Sequence, residues 1–121
     1  MGRGLTPIAM DTVQADTAKT ATGETDTFDL STSRSVVVWV VVSSIQTVGV
    51  FDFALETSPE DVKDNKNFQQ QGTPLTITDA KTFAVGVFNR DKDPIGRSGK
   101  VTFTLTGGTG QTFKVMIERY E

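Results

Sequence analysis

The fold is decided by one stretch, Val36-Val37-Val38-Trp39-Val40-Val41-Val42, in which valines surround a single tryptophan. β-Branched and aromatic side chains favour extended backbone, and successive side chains of a strand point to opposite faces. The even-numbered valines therefore share one face, and Val37, Trp39 and Val41 share the other. An antiparallel strand in a small β domain usually has one wet face, but here both faces are apolar. We expect one face to pack in the domain core and the other to be covered by the N-terminal segment or by another subunit.

The composition bounds the class of protein. The 121 residues suffice for one domain with a single core, and the apolar fraction of 36% lies above the range of a disordered chain. A net charge of −3 and a pI of about 4.9 oppose general nucleic-acid binding, which requires a basic face. The sequence has no cysteine and no histidine, which excludes disulfides, Cys-based metal centres and both serine–histidine and cysteine–histidine catalysis.

The sequence predicts no membrane partner. The valine run is far shorter than the ~20 residues that a membrane-spanning helix needs. The first seven residues lack the apolar core of a secretion signal. We therefore expect synthesis in a cytoplasm, followed by use there or release by lysis.

Shorter alternating segments flank the valine run, and each predicts a strand. They cover residues 25–30, 48–56, 75–79, 82–89, 101–105 and 113–117. The expected connections are a turn at 44–47, a short helix beginning at Ser58, a polar loop at 69–72 and a longer loop at 90–100. Seven strands, or eight if the N-terminal segment adds one, predict an all-β, antiparallel β-sandwich of jelly-roll type over residues 24–121.

Residues 1–23 differ from the rest of the chain and form a predicted N-terminal arm. They are rich in Thr, Ala and Gly, and their apolar residues are scattered. Such a segment cannot build a core of its own, so we expect it to lie against something else. An arm that contacts a neighbouring chain is favoured over an extra edge strand on its own domain. The residues available for that contact are Leu5, Pro7, Ile8, Met10 and Val13.

Three patterns could carry chemistry, and each has a simpler interpretation. The glycine-rich segment 107–112 lacks the lysine and the following helix of a phosphate loop, so it predicts a hairpin between two strands. The acidic segments 61–65 and 91–93 lack the spacing of a calcium loop. Carboxylates that could pair for acid–base work occupy the wet sides of strands; they are Asp26, Asp29, Asp52 and Glu56. We therefore predict no enzyme activity, no metal and no cofactor.

Aromatic residues and one basic loop offer further binding surfaces. Most phenylalanines of the strands occupy inward positions, namely Phe51, Phe53, Phe83, Phe103 and Phe113, which favours core packing over a sugar-stacking platform. Trp39 is the exception, because its face of the strand is the one that needs a cover. The loop 90–100 carries Arg90, Lys92, Arg97 and Lys100. These cations fit either a solvated loop or contact with an acidic partner surface, and the sequence leaves both open.

Three features together resemble the small β-sandwich decoration, or cement, proteins of tailed-bacteriophage capsids. They are the Thr/Gly/Ala-rich arm, the valine strand with two apolar faces, and a Thr-rich sandwich without catalytic residues. The resemblance implies a domain that trimerises on the outside of the virion, with arms or loops that bridge neighbouring copies of the major capsid protein. A trimer axis would then supply the second cover of the valine strand.

The sequence thus predicts a structural protein that binds the exterior of a viral capsid and stabilises the shell. The residues predicted to contact partners are Leu5, Pro7, Ile8, Met10, Val13, Val37, Trp39, Val41, Arg90, Lys92, Arg97 and Lys100. The alternative is a carbohydrate-binding jelly-roll module of an adhesin or a tail-associated protein. That alternative predicts an exposed aromatic cluster. A hydrolase is the least favoured class, because no pair of acids is set apart by its surroundings.

Overall fold

A computed structural model describes residues 7–46, 50–77, 82–90, 92, 95–107 and 110–120, with the side chains of all of these except 7–9, 16, 44–46 and 82–85. The described chain is almost entirely β. Its strands are β1 (Pro7–Lys19), β2 (Gly23–Glu24), β3 (Phe28–Asp29), β4 (Ser35–Gln46), β5 (Val50–Ser58), β6 (Gln69–Ile77), β7 (Thr82–Asn89), β8 (Ser98–Gly107) and β9 (Gly110–Tyr120). A single turn of 3₁₀-helix, Val62–Asp64, lies between β5 and β6.

The strands form two antiparallel sheets that pack against each other, which confirms the predicted β-sandwich. Sheet A has the order β1-β9-β4-β7, and sheet B has the order β2-β8-β5-β6 with β3 also paired to β8. The paired strands are nested along the chain: β1 with β9, β2 and β3 with β8, β4 with β7, and β5 with β6. This nesting is that of a jelly roll, in which two Greek keys share one barrel-like sandwich.

The core lies between the two sheets, and residues of both form one hydrophobic cluster. The four even-numbered valines of β4 are at most 3% exposed, as predicted. Phe51 and Phe53 of β5 pack with Phe103 of β8 and Phe113 of β9, and all ring centroids lie 4.9–6.5 Å apart. Most of these contacts are edge-to-face, which is the favourable arrangement for aromatic rings. The predicted inward positions of these four phenylalanines are therefore confirmed, and Phe83 lies among the side chains that are not described.

The N-terminal segment is an edge strand where the structure describes it. Pro7–Lys19 pairs along its length with β9, from Pro7↔Tyr120 to Lys19↔Gln111. Of the two expectations for this segment, the described residues adopt the edge strand, and contact with a neighbouring chain stays a prediction. The strand forms because the sheet supplies main-chain partners that a segment poor in apolar residues cannot find alone. It extends sheet A sideways instead of lying over it, so β1 does not cover the outward face of the valine strand.

Several predicted connections are wrong because strand pairing overrides local turn chemistry. Residues 44–46 continue β4, and 69–72 belong to β6. The helix expected from Ser58 is reduced to the Val62–Asp64 turn, and Ser98–Lys100 already belong to β8. The glycine-rich segment is not a hairpin, because β8 lies in sheet B and β9 in sheet A. That connection therefore crosses between the sheets.

A bulge changes which residues of β7 face the core. The β4–β7 register is Val38↔Gly86 and then Trp39↔Ala84, so one residue of β7 has no direct partner. On the Asn89 side of the bulge, Phe88 is buried and Val87 is 67% exposed. Strict alternation from Phe83, a predicted inward position, would place Val87 inward as well, and it instead points away from the core.

Candidate interaction surface

One surface stands out, the outward face of sheet A, which we call the A-face. The strand register arranges its side chains in rows across the sheet. One row runs Met10–Glu118–Val37–Val87, and the next contains Thr12, Met116 and Trp39. A third row contains Lys114 and Val41. The face thus presents a largely apolar centre with one charged side chain on either side of Met116 along β9.

The two exposed large apolar side chains of the described residues both lie on the A-face. Met10 is 51% exposed and Val87 is 67% exposed. Trp39, Val41 and Met116 are half-buried, whereas Val37 is only 9% exposed because its neighbours in the sheet surround it. Met10 and Val87 lie on the two edge strands of sheet A, with the other A-face residues between them. An apolar face of this extent commonly marks a contact with another molecule.

Two hydrogen bonds hold polar groups in place at one end of this face. The Trp39 indole Nε1 donates to Glu118 Oε1 across 3.3 Å. A side-chain hydrogen bond to the same carboxylate raises the pKa of Tyr120 above its ordinary value of 10.0, with a further contribution from burial. Glu118 is therefore oriented by two aromatic side chains, and the indole ring of Trp39 is kept against the sheet.

The outward face of sheet B is chemically different. A shallow groove on it is lined mainly by threonines and carboxylates, namely Thr22, Gly23, Glu24, Asp52, Ala54, Glu56, Gln70, Pro74, Thr102 and Thr104. Thr76 donates a hydrogen bond to the Asp52 carboxylate, and Lys100 lies 3.1 Å from Glu24. These polar groups satisfy one another and water. The two outer faces of the sandwich thus differ in their affinity for solvent.

Arg90, predicted as a partner contact, is bound within its own chain. Its Nε donates to the Ser33 carbonyl at 3.0 Å, Nη1 to Ile95 at 2.6 Å and Nη2 to Leu30 at 2.9 Å. These carbonyls belong to the 30–33 turn and to the segment between β7 and β8. The fork of guanidinium donors therefore joins two connections at one end of the sandwich.

The other predicted cations of this loop are mostly paired as well. Lys100 is largely buried, lies near Glu24 and Glu56, and stacks 4.4 Å from the centroid of the Phe68 ring. Arg97 pairs with Asp61 at 3.2 Å in an exposed ion pair. Lys92 is exposed. The structure therefore does not bring the four cations together as one basic patch.

The remaining predicted residues separate into two groups. Met10, Val37, Trp39 and Val41 all lie on the A-face. Val13 packs against the core, and Pro7 and Ile8 belong to β1 without described side chains. Leu5 lies outside the described residues. Four of the nine A-face residues were thus predicted, three of them from the valine strand.

The contributions of β9 and β7 to the A-face were not predicted from the sequence. Phe113, Val115 and Ile117 were predicted to be inward, and strand alternation then places Lys114, Met116 and Glu118 outward. That signal was available in the sequence. Val87 could not be found in the same way, because the bulge in β7 reverses the alternation there.

The described residues were compared with the arrangement of acidic side chains that a metal ion requires. No three acidic side chains among them converge on a place that could hold a metal ion. Within the same ranges, no helix is long and apolar enough to cross a bilayer. Comparison with models of known protein families matched none, and a search of curated proteins also found no similar sequence.

Proposed function

We propose that the protein is a structural component of a viral capsid exterior, where it binds neighbouring capsid subunits and strengthens the shell. The observation that carries this proposal is the A-face, on which Met10 and Val87 are open to water beside Trp39, Val41 and Met116. Covering such a surface releases its hydration water and favours association. After synthesis in the host cytoplasm, the chain would bind to the shell and form part of the virion.

The difference between the outer faces supports a role in assembly. The polar outward face of sheet B suits contact with water, and the A-face suits contact with protein. The jelly-roll topology agrees with this assignment by analogy, since the fold is common in viral capsid proteins and also in lectins. The resemblance to decoration proteins adds the major capsid protein and a homo-oligomer, with a trimer favoured, as the expected partners.

The glycan-binding alternative receives less support from the geometry. It predicts an exposed aromatic cluster on which sugar rings could stack. Among the described side chains, the exposed large apolar ones are Met10 and Val87, and neither is aromatic. The groove on sheet B offers hydroxyl and carboxylate groups without an exposed aromatic platform.

The test uses capsid shells of the encoding virus that lack this protein. The purified chain is added and the shells are sedimented, and the bound fraction is measured for the wild type, Val87→Asp and Thr104→Asp. Both substitutions place a carboxylate at an exposed outward strand position, the first on sheet A and the second on sheet B. We expect Val87→Asp to lower the apparent affinity by about tenfold or more, because it places a charge on the apolar face that must be covered by protein in the assembled shell, and Thr104→Asp to leave it unchanged. Wild-type protein that does not sediment with shells would overturn the proposal.

A further inference from the structure

We infer that a second copy of this chain covers the A-face, stacked face to face about a two-fold axis that passes beside Met116 and Trp39. The inference rests on the proposed assembly function and specifies one partner for its surface. It also specifies a stoichiometry of two, whereas the resemblance to decoration proteins implies three. Two features support this arrangement: the order of side chains along β9 and the size of the A-face.

The outward residues of β9 have opposite charges at equal distances from Met116. Lys114 lies two residues before it and Glu118 two residues after it, in the rows of Val41 and Val37 respectively. The two-fold axis lies in the interface plane, perpendicular to the strands and along the Met116 row. Rotation about this axis places Met116 of one copy opposite Met116 of the other and reverses the direction of the strands. Lys114 of each copy then faces Glu118 of the other, and Val37 faces Val41. Two ion pairs thus flank an apolar centre in which Trp39 meets its symmetry mate.

Within one chain these charges cannot pair with each other. Four residues of extended strand separate Lys114 and Glu118 by about 14 Å. No hydrogen bond or ion pair joins Lys114 to any residue of the described ranges, while Glu118 accepts from Trp39. A lysine left in the middle of an apolar sheet face is therefore best compensated by a carboxylate from outside, and the stacked copy supplies one at each end.

The face is large enough for a specific contact. From Thr112 to Tyr120 the outward residues of β9 span about 27 Å, and four strands at ~4.8 Å spacing are about 19 Å wide. A flat face of these dimensions covers roughly 500 Å² per copy and ~1,000 Å² in total, which reaches the lower limit of specific interfaces. Stacked sheets usually cross at about 30°, which displaces side chains near the axis by only a few ångströms. The flexible stem of Lys114 can span that displacement.

In a two-fold contact the same surface of both copies meets, so reversing the charge of Lys114 or Glu118 changes the interface twice and tests it directly. In Lys114→Glu every copy has two acidic groups on β9, and in Glu118→Lys every copy has two basic groups. Either variant alone therefore places like charges opposite each other twice per dimer. An equimolar mixture of the two restores both ion pairs, and so does the double variant within one chain. Lys63→Glu, on the exposed 3₁₀ turn beyond sheet B, is the matched control.

The measurement is the dissociation constant from sedimentation equilibrium, with the emission of Trp39, the only tryptophan, as a second readout. We expect the wild type and Lys63→Glu to reach twice the 13.1 kDa chain mass with blue-shifted emission. Each single reversal should weaken the dimer by ~30-fold or more, because two contacts change from attraction to repulsion. The mixture and the double variant should return to within a few-fold of the wild type, which also shows that the variants fold.

Three results would overturn the inference. They are a wild-type chain that stays monomeric at the highest concentration that can be sedimented, a trimer, or single reversals that associate as well as the wild type. A monomer that nevertheless sediments with shells would assign the A-face to a shell subunit and leave the proposed function standing. A dimer that meets every expectation but never binds shells would remove the capsid role and keep the two-fold contact.

Discussion

Replacing Arg90 should destabilise the fold, even though the residue lies in a loop of an acidic protein. The sequence allows two interpretations of the cations in the 90–100 loop: solvated charge, or contact with an acidic partner surface. Neither reading predicts that the loop cation matters to the isolated chain. The structure supplies a different role, because the guanidinium joins the turn before β4 to the segment before β8.

The magnitude follows from the carbonyls that lose their donor. Ser33, Leu30 and Ile95 each accept one guanidinium hydrogen bond, and a fourth contact to Gly96 at 3.4 Å is at the limit of bonding. The Leu30 carbonyl also accepts from the Ser33 N–H, so it keeps a partner after Arg90 is removed. Two carbonyls of buried residues remain, at about 1–1.5 kcal/mol each, which gives a loss of about 2–3 kcal/mol for Arg90→Ala. With a urea m-value of about 1–2 kcal/mol/M, the midpoint should fall by about 1–3 M.

Urea unfolding of three variants tests this reasoning. Lys92→Ala removes an exposed cation from the same loop and should shift the midpoint by less than about 0.3 M, since exposed substitutions are usually near neutral. Arg90→Lys keeps the charge but presents a single ammonium group, which cannot reach three divergent carbonyls. This variant should therefore lose most of the stability that the Arg90 side chain contributes. If Arg90→Ala and Arg90→Lys both unfold at the wild-type midpoint, the guanidinium does not hold the connections together and the assignment is wrong.

Three further outcomes can be checked by the same unfolding assay. Gly96→Ala should cost more than about 2 kcal/mol, because its Cβ would lie 2.0 Å from a main-chain oxygen of β5, whereas Gly107→Ala, with its nearest atom at 4.0 Å, should be tolerated. Phe113→Ala should cost about 3–5 kcal/mol, since it empties the centre of the aromatic cluster, and Phe113→Leu should cost much less. Hydrogen bonds from Ser31 lower the pKa of Asp29 below 3.8, so the stability they contribute is present above that pH and is lost as the pH falls through the lower folded pKa. Asp29→Asn should flatten the pH dependence of unfolding in that acidic window.

The sandwich and its core could be predicted because they depend on local patterns. Alternation placed Phe51, Phe53 and Phe103 inward, and the structure leaves each of them at most 2% exposed. The valine run was long and apolar enough to identify the central strand β4 whatever its neighbours were. Where the pattern is strong and repeated along a strand, burial of the apolar face fixes the register.

The elements that were missed depend on partners remote in sequence. Nothing in residues 7–19 indicates β9, and only the pairing with that strand turns the segment into an edge strand. Gln69–Gly72 is polar and ends in glycine, yet its backbone pairs with β5. The β7 bulge is likewise a property of the β4–β7 pair, so Val87 could not be placed on the A-face from its own sequence.

The apolar character of the A-face is not required by the sandwich itself. Sheet B has outward strand positions of the same geometry, and there the chain places Thr102, Thr104 and Thr106, which favour strands and accept water. Threonine could equally occupy positions 41 and 87, since it has nearly the shape of valine and neither Val41 nor Val87 lies in the core. Val87 is the clearest case, because at 67% exposure it gains almost nothing from its own chain. In the proposed two-fold contact its burial comes from the second copy, which carries the lysine and the glutamate on either side of Met116 in the reverse order.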